Sequence, residues 1–329
     1  MKKIFIRSKG DQKNGWGNVI RQFTIAKYLS RKNFKIFFFV EAESNLFKLL
    51  RSPKIQIYRL KKNIKIKKEK EILNECGKCD FAIIEMLNPS LALQRLYKDK
   101  SKKIIVYDDL LEGKYISDFL ISCQEIKLIK EKRLNKALKF LKGYDYFPIA
   151  KHKARTKKEK IKKRFERLNI LLGGSSYQNL YVKISKALKN FSNLRVKIIN
   201  NKKNFLINKK KILKENKNIK VLEPKKNVFN FLSEANYLIV GGGYTKIEAA
   251  FLNKPCLVIC THAHQIKISK IFCKKFGSRY LGYNQEISSK SIQNGINYLM
   301  NKKLKMKMIN KLQNFKPDGL EKIRDILKN

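Results

Sequence analysis

Three consecutive glycines, at positions 241–243, follow an apolar run at 237–240 and precede a helical pattern. Because glycine has no side chain, the backbone amides of such a turn can approach an anion at the start of the next helix. Thr245 adds a hydroxyl, and Glu248 carries a carboxylate that can accept hydrogen bonds from ribose hydroxyls. The alternative is a tight turn without a ligand, in which Glu248 only offsets the helix dipole. No Gly-Lys-Ser/Thr follows the glycines, so the segment is not a P-loop.

A second turn of the same kind contains Gly173, Gly174, Ser175 and Ser176, and it follows an apolar run at 168–172. Turns at the carboxyl ends of parallel strands meet in one crevice where the strand order reverses. Two such turns in the same half of the chain therefore favour a nucleoside diphosphate as the ligand of that half.

A third glycine-containing loop, with Gly15, Trp16, Gly17 and Asn18, precedes the first helical pattern, and Arg21 falls on the opening turn of that helix. Two interpretations are open for this loop. It is either an ordinary strand-to-helix connection anchored by Trp16, or a loop that faces a substrate while Arg21 supports it or contacts an anion.

Two adjacent carboxylates, Asp108 and Asp109, end an apolar run at 103–107. Neighbouring residues of a strand point to opposite sides, so this pair is not expected to share a proton. We expect one carboxylate to face the crevice and the other to cap the following segment.

Histidines and cysteines do not form a recognisable metal site. His262 and His264 follow an apolar run at 256–260, but no third ligand stands at a fitting spacing, which favours a hydrogen-bonding loop. Cys76 and Cys79 form a lone C-x-x-C pair, for which a structural role is favoured. The remaining cysteines are also expected to be reduced thiols, at Cys123, Cys256, Cys260 and Cys273.

The chain of 329 residues carries 76 Lys and Arg against 26 Asp and Glu, a formal net charge of +50. Such a charge is typical of nucleic-acid-binding proteins. Most of the positive residues are Lys and they are spread along the whole chain, which favours a Lys-biased surface over a dedicated nucleic-acid groove. The 43% hydrophobic content excludes disorder of the whole chain. No apolar run is long enough for a transmembrane helix or a signal peptide, so we expect a cytoplasmic protein.

These candidate residues need strands and helices to hold them. In the first half, apolar runs at 3–7, 35–40, 81–85 and 103–107 alternate with helical patterns; in the second half the runs lie at 168–172, 195–199, 221–222, 237–240 and 256–260. The alternation predicts an α/β fold of two doubly wound parallel-sheet (Rossmann-like) domains, at 1–150 and 151–329. Helices are also expected at 151–163 and 179–188, and an exposed helix and loop within 200–226.

Several segments together resemble a known family. They are IRSKGDQKNGWGNVIRQFTIAKYL, VYDDL, GYDYFPI, LLGGSSYQN, LSEANYLIVGGGYTKIEAAFLNKPCLVICTHAHQ and PDGLEKI, and their order covers nearly the whole chain. The chain resembles the UDP-sugar hydrolase of pseudaminic acid biosynthesis and the related spore-coat polysaccharide biosynthesis proteins. The resemblance implies a GT-B fold, with two domains facing a cleft, and a UDP-sugar as the substrate.

The resemblance also implies roles for individual residues. Glu248 would bind the ribose, with Gly242, Gly243, Tyr244 and Thr245 around the nucleotide. The diphosphate would lie near Gly174 and Ser175, and the sugar or a phosphate near Gln265. Across the cleft, the catalytic group would come from the loop that contains Gly15, Gly17, Asn18 and Arg21.

One departure from the family pattern affects the chemistry. The family's catalytic histidine falls at Asn18, whose amide is not basic near neutral pH and cannot deprotonate water. Ser176 also stands where the family usually has an acid. Asp109 is then our first candidate for the base.

The leading interpretation is an enzyme that releases UDP by attack of water on the anomeric carbon, with Gly174, Ser175 and Thr245 stabilising the developing charge and no metal or cofactor required. Its setting would be surface-polysaccharide or nonulosonic acid biosynthesis. The alternatives are a GT-B glycosyltransferase with a glycan acceptor, an inactive nucleotide-sugar-binding relative, and a basic nucleic-acid-binding protein. Peripheral contact with an anionic membrane is left open, and the sequence sets no oligomeric state.

Overall fold

In the computed structural model, the described residues are 1–10, 16–149, 165–173, 178–200, 205–223 and 228–328, without the side chains of Asn45 and Gln178. Backbone contacts divide the chain into two compact units. The first consists of Met1–Ile149 and Pro317–Asn329, and the second of Ala150–Lys316. The division near residue 150 lies beside the predicted domain boundary. The last segment differs from the prediction of a second domain ending at 329, because it packs with the first unit.

The first unit is built around a seven-stranded parallel sheet with the order β3-β2-β1-β4-β5-β6-β7. Its elements are β1 (Lys3–Gly10), α1 (Gly17–Ser30), β2 (Lys35–Ala42), α2 (Ser44–Phe47), β3 (Ile55–Leu60), α3 (Ile66–Cys76), β4 (Cys79–Glu85), α4 (Leu91–Lys100), β5 (Ser101–Tyr107), β6 (Phe119–Ser122), β7 (Lys139–Lys142) and α12 (Gly319–Lys328). Helices cover both faces of this sheet, so the central strands are continuous apolar runs. Phe23 of α1 stacks on Phe38 on one face, and Tyr97 of α4 packs on Phe39 on the other.

The second unit contains a six-stranded parallel sheet with the order β10-β9-β8-β11-β12-β13. Its elements are β8 (Glu166–Leu171), α5 (Gln178–Ala187), β9 (Leu194–Ile199), α6 (Phe205–Glu215), β10 (Ile219–Leu222), α7 (Val228–Ser233), β11 (Tyr237–Gly241), α8 (Thr245–Phe251), β12 (Cys256–Cys260), α9 (Gln265–Phe276), β13 (Arg279–Tyr283), α10 (Ser289–Met300) and α11 (Lys302–Leu312). All five residues of β11 and all five of β12 are buried, as expected for central strands.

Each predicted apolar run forms a strand, and the predicted α/β class with two doubly wound parallel sheets is confirmed. Four strands were not predicted. In β3 polar residues interrupt the apolar ones, β6 and β7 have four residues each, and β13 contains Gly282 and is only half-buried. The helix expected at 151–163 lies outside the described residues. Within the described ranges, no helix is long and apolar enough to cross a membrane.

The strand order reverses once in each sheet, between β1 and β4 in the first unit and between β8 and β11 in the second. At such a point the connections leave the two neighbouring strands in opposite directions, which opens a crevice at their carboxyl ends. The glycine turns after β8 and β11 lie at one of these points, and Glu85 ends a strand at the other.

Candidate functional site

The end of β11 and the loop after β8 lie close together in the second unit. Gly241 is the last residue of β11, and a Cβ atom on it would stand 2.4 Å from the carbonyl oxygen of Leu172. A Cβ on Gly242 would stand 2.8 Å from Cys260 Sγ and 2.9 Å from Gln265 Oε1. Neither position has room for a side chain, so the reversal point is closed by bare backbone.

Gln265 connects this glycine turn to the start of α9. Its Oε1 accepts hydrogen bonds from the backbone nitrogen of Thr261 at 3.0 Å and from Thr261 Oγ1 at 3.3 Å. Its Nε2 lies 3.9 Å from where a Cβ of Gly243 would stand. The structure thus brings together Gly242, Gly243 and Gln265, which the sequence assigned to one site.

Lys246 is a residue of this site that the sequence did not reveal. Its side chain is fully buried, and Nζ donates to the carbonyl oxygens of Gly242 at 2.5 Å and Gly243 at 3.0 Å. The ammonium group therefore fixes the glycine turn and places a positive charge beneath it. In a chain so rich in Lys, nothing in the sequence distinguishes this one.

The other predicted nucleotide contacts lie at the start of α8. Tyr244 precedes the helix, Thr245 is its first residue, and Glu248 follows one turn later; all three side chains are half-buried. Their assignment as ligands of a nucleotide stays a prediction. Gly174 and Ser175 lie outside the described residues.

His262 and His264 lie next to this turn, with their rings stacked at 5.4 Å between centroids. Burial lowers the pKa of His262, which favours the uncharged ring. In the part of the chain that the structure describes, no group of three or more His, Cys, Asp and Glu side chains could hold a metal ion.

A buried polar layer lies at the reversal point of the first sheet; we define it as Ser8, Arg21, Gln22, Glu85, Tyr107 and Asp109. Ser8, Glu85 and Tyr107 stand side by side on β1, β4 and β5, as the strand register shows. Arg21 and Gln22 of α1 cover this row, and Asp109 follows two residues after Tyr107. All six residues are less than a tenth exposed.

Arg21 is the cation of the polar layer. Its Nε donates to Glu85 Oε1 at 2.8 Å, its Nη2 also contacts Glu85, and its Nη1 donates to Asp109 Oδ2 at 3.1 Å. The guanidinium also lies over the Tyr107 ring, 5.4 Å from the centroid. These contacts tie the first turn of α1 to β4 and Asp109, and favour a supporting role for Arg21 over contact with an anion.

Glu85 is the acid of the layer whose pKa shifts into the neutral range. Burial raises its pKa to about 7, although Arg21 and a 2.6 Å hydrogen bond from Gln22 oppose the rise, and Asp109 adds to it as a like charge. This shift was not predictable from the sequence, in which Glu85 only ends an apolar run.

Asp109, the predicted base, is held by several donors. Besides Arg21, the backbone nitrogen of Cys123 donates to Oδ1 at 2.6 Å and Ser122 Oγ at 3.2 Å. These contacts favour a role in holding Arg21, and a catalytic role for Asp109 stays a prediction. Asp108 caps the next segment, accepting from the backbone nitrogen of Leu110 at 2.8 Å.

The first predicted catalytic position, Asn18, is the second residue of α1 and is half-buried. Gly17 opens the helix and is exposed, and Gly15 lies outside the described residues.

The C-x-x-C pair joins α3 to β4; both thiols are buried, and burial raises the pKa of Cys79 to about 12. The burial of both thiols agrees with the structural role expected for the pair.

No protein-family model matches the chain. A curated relative is an uncharacterized protein of Methanocaldococcus jannaschii, 24% identical over 295 residues that cover 85% of this chain. The chain spans only 60% of the length of that relative. The specific resemblance to the pseudaminic acid hydrolase therefore stays a prediction.

Solved structures share the fold at low sequence identity. MurG of Acinetobacter baumannii is 12% identical with a TM-score of 0.70, over 100% of this chain and 99% of that chain. MnaA of S. aureus, solved with UDP, is 15% identical with a TM-score of 0.70, over 100% and 96%. A UDP-glucosyltransferase from Polygonum tinctorium is 10% identical with a TM-score of 0.72, over 100% and 99%. With its two parallel sheets, the chain has the GT-B fold that the sequence predicted.

Proposed function

We propose that this chain is an enzyme that acts on a UDP-sugar. The observation that carries the proposal is the bare-backbone turn at the reversal point of the second sheet, with Lys246 buried beneath it. Its amides and the nearby positive charge suit a diphosphate. Two proteins of the same fold support the choice of nucleotide, because one was solved with UDP and another is a UDP-glucosyltransferase.

In this proposal, the nucleotide lies along the start of α8. Glu248 accepts hydrogen bonds from the ribose hydroxyls, and the diphosphate lies along the backbone of Gly242 and Gly243 and meets the amide of Gly243 and the hydroxyl of Thr245. Gly174 and Ser175 approach the diphosphate from the other turn, and the sugar or a phosphate lies near Gln265. Lys246 acts indirectly, because it binds the carbonyl oxygens of Gly242 and Gly243 and so holds the turn in place. The N–H of Gly242 itself donates to the carbonyl oxygen of Ile259 at 2.9 Å, so the amides proposed for the ligand are those that follow Gly242.

The leading reaction is hydrolysis at the anomeric carbon. The water oxygen forms a bond to C1 while the bond from C1 to the diphosphate oxygen breaks, and UDP leaves with that electron pair. Asn18 cannot take the proton that the water loses, but its amide can orient the water. A separate base must accept this proton, and Asp109 remains the first candidate.

A glycosyltransferase is the second candidate function, supported by the UDP-glucosyltransferase of the same fold. The bonds that form and break at C1 are the same, but the attacking oxygen belongs to an acceptor hydroxyl that Asn18 would align.

UDP release by the purified chain, from a panel of UDP-sugars with and without glycan or lipid acceptors, tests the proposal. Release in water alone supports the hydrolase, and release that requires an acceptor supports the transferase. Absence of both UDP release and UDP binding would overturn the proposed function.

A further inference from the structure

Several buried polar atoms of the polar layer make no hydrogen bond. Among the described residues, Ser8 Oγ, Gln22 Oε1 and Tyr107 OH are buried without a hydrogen-bond partner, and all three belong to this layer. A buried polar atom that loses its water and gains no partner destabilises the fold. Of these three atoms, Gln22 Oε1 belongs to the amide that contacts the Glu85 carboxyl group.

Gln22 can offer either end of its amide to Glu85. In the structure, Nε2 donates to Glu85 Oε2 at 2.6 Å, and Oε1 is the atom without a partner. A rotation of about 180° about the Cγ–Cδ bond of Gln22 exchanges Oε1 and Nε2 at nearly the same positions. A carboxylate only accepts hydrogen bonds and so selects the amide nitrogen, whereas a carboxylic acid has an O–H that selects the carbonyl oxygen.

The charges of the layer favour a proton on Glu85 in part of the neutral range. The guanidinium of Arg21 contacts both acids of the layer, Glu85 and Asp109. Within the described ranges, the Tyr107 hydroxyl and the Cys123 thiol also face Glu85, and burial holds the pKa of both well above their ordinary values, so both are uncharged. Burial penalises the ionised form of Glu85, and the Asp109 carboxylate beside it adds to that penalty. Glu85, whose pKa burial raises to about 7, therefore takes up a proton from bulk water in part of the neutral range.

Gln22 lies on the same helix as the predicted catalytic position, Asn18. Asn18 precedes Gln22 by four residues, so the two share a face of α1. We propose that Glu85 is a positioning residue whose proton sets the orientation of the Gln22 amide, and thereby whether an acceptor or a donor is presented on the side of Asn18. The carboxylate leaves the carbonyl oxygen of Gln22 on that side, and the acid leaves the NH₂ group there. Its link to catalysis rests on the proposed function.

The direct test observes the Gln22 amide itself. In the full chain labelled with ¹⁵N-glutamine, we expect the side-chain signals of Gln22, assigned by their loss in Gln22→Met, to shift with a midpoint near pH 7. Glu85→Gln should abolish the shift, because the isosteric amide does not titrate. Gln94 is the internal control, since its amide donates to Pro89 and Lys114 carbonyls and accepts from the Ile116 nitrogen. Its signals should not move at any of these pH values, and they also report that the variant is folded.

If Glu85→Gln fails to fold, Asp109→Asn provides a second test. Asp109→Asn removes the like charge that raises the pKa of Glu85, so the midpoint of Gln22 should fall below that of the unaltered chain. A Gln22 signal that does not titrate, or that titrates unchanged in Glu85→Gln, overturns the proposal.

The pH dependence of turnover distinguishes the positioning role of Glu85 from a purely structural one. The kcat for UDP release should change around pH 7 in the unaltered chain and lose that change in Glu85→Gln, while KM stays constant. Equal losses in kcat at every pH would overturn the link to catalysis. If no UDP-sugar is turned over and UDP does not bind, the proposed function fails, yet the Gln22 titration still decides the role of Glu85.

Discussion

At the scale of single residues, Gly242 is a predicted nucleotide contact that has no room for a side chain. A Cβ there would meet Cys260 Sγ, Gln265 Oε1 and Ser269 Oγ, all within 2.9 Å. We expect Gly242→Ala to lower the free energy of unfolding by about 1–3 kcal/mol and to weaken UDP binding, because the turn must shift. Denaturant unfolding and calorimetric titration with UDP measure the two effects.

Gly243→Ala is the matched control for that substitution. The nearest atom to a Cβ at Gly243 is Gln265 Nε2 at 3.9 Å, an ordinary contact distance. We expect the free energy of unfolding to change by less than about 0.5 kcal/mol. A loss as large as that of Gly242→Ala would contradict the explanation by available space.

Glu248 separates ligand binding from stability. Its side chain is half-buried at the start of α8. If it accepts hydrogen bonds from ribose, Glu248→Ala should weaken UDP binding by about 1.5–3 kcal/mol, the range for hydrogen bonds to charged groups, with little change in unfolding. Calorimetric titration checks this, with Glu234→Ala, a half-buried carboxylate paired with Lys197, as the control. Unchanged UDP binding in Glu248→Ala would show that the nucleotide lies elsewhere.

At the scale of elements, α12 contributes to the stability of the first unit, although it follows the second unit in the sequence. Ile323 and Leu327 are fully buried, and Lys2 Nζ donates to the carbonyl oxygen of Leu327 at 2.9 Å. We expect Ile323→Ala to cost about 2–5 kcal/mol and to accelerate amide hydrogen exchange most in β1 and α1. Leu299→Ala in α10 is the counterpart, because Leu299 is 1% exposed in the core of the second unit. Faster exchange centred on β12 in Ile323→Ala would contradict this placement of α12.

The elements also show how far the sequence could predict the site. The glycine turn after β11 was predictable, because both the buried strand and the need for bare backbone are local properties of adjacent residues. The polar layer was not, because Arg21 and Glu85 are 64 positions apart and meet only when α1 covers the paired strands β1 and β4. Lys246 was missed for another reason: its burial is set by its neighbours in space, and its type normally indicates an exposed position.

At the scale of the whole molecule, the net charge of +50 surrounds a site proposed for an anion. A field of this sign accelerates the encounter with a charged ligand, and salt screens it over a distance of about 30 Å at 0.01 M and about 10 Å at 0.1 M. We therefore expect the association rate constant of UDP to fall several-fold over that range, as stopped-flow mixing would measure. Uridine, which has no charge, is the matched control and should associate at a rate independent of salt. An equal salt dependence for both ligands would show that salt acts on the protein instead, and would remove steering as a role for the charge.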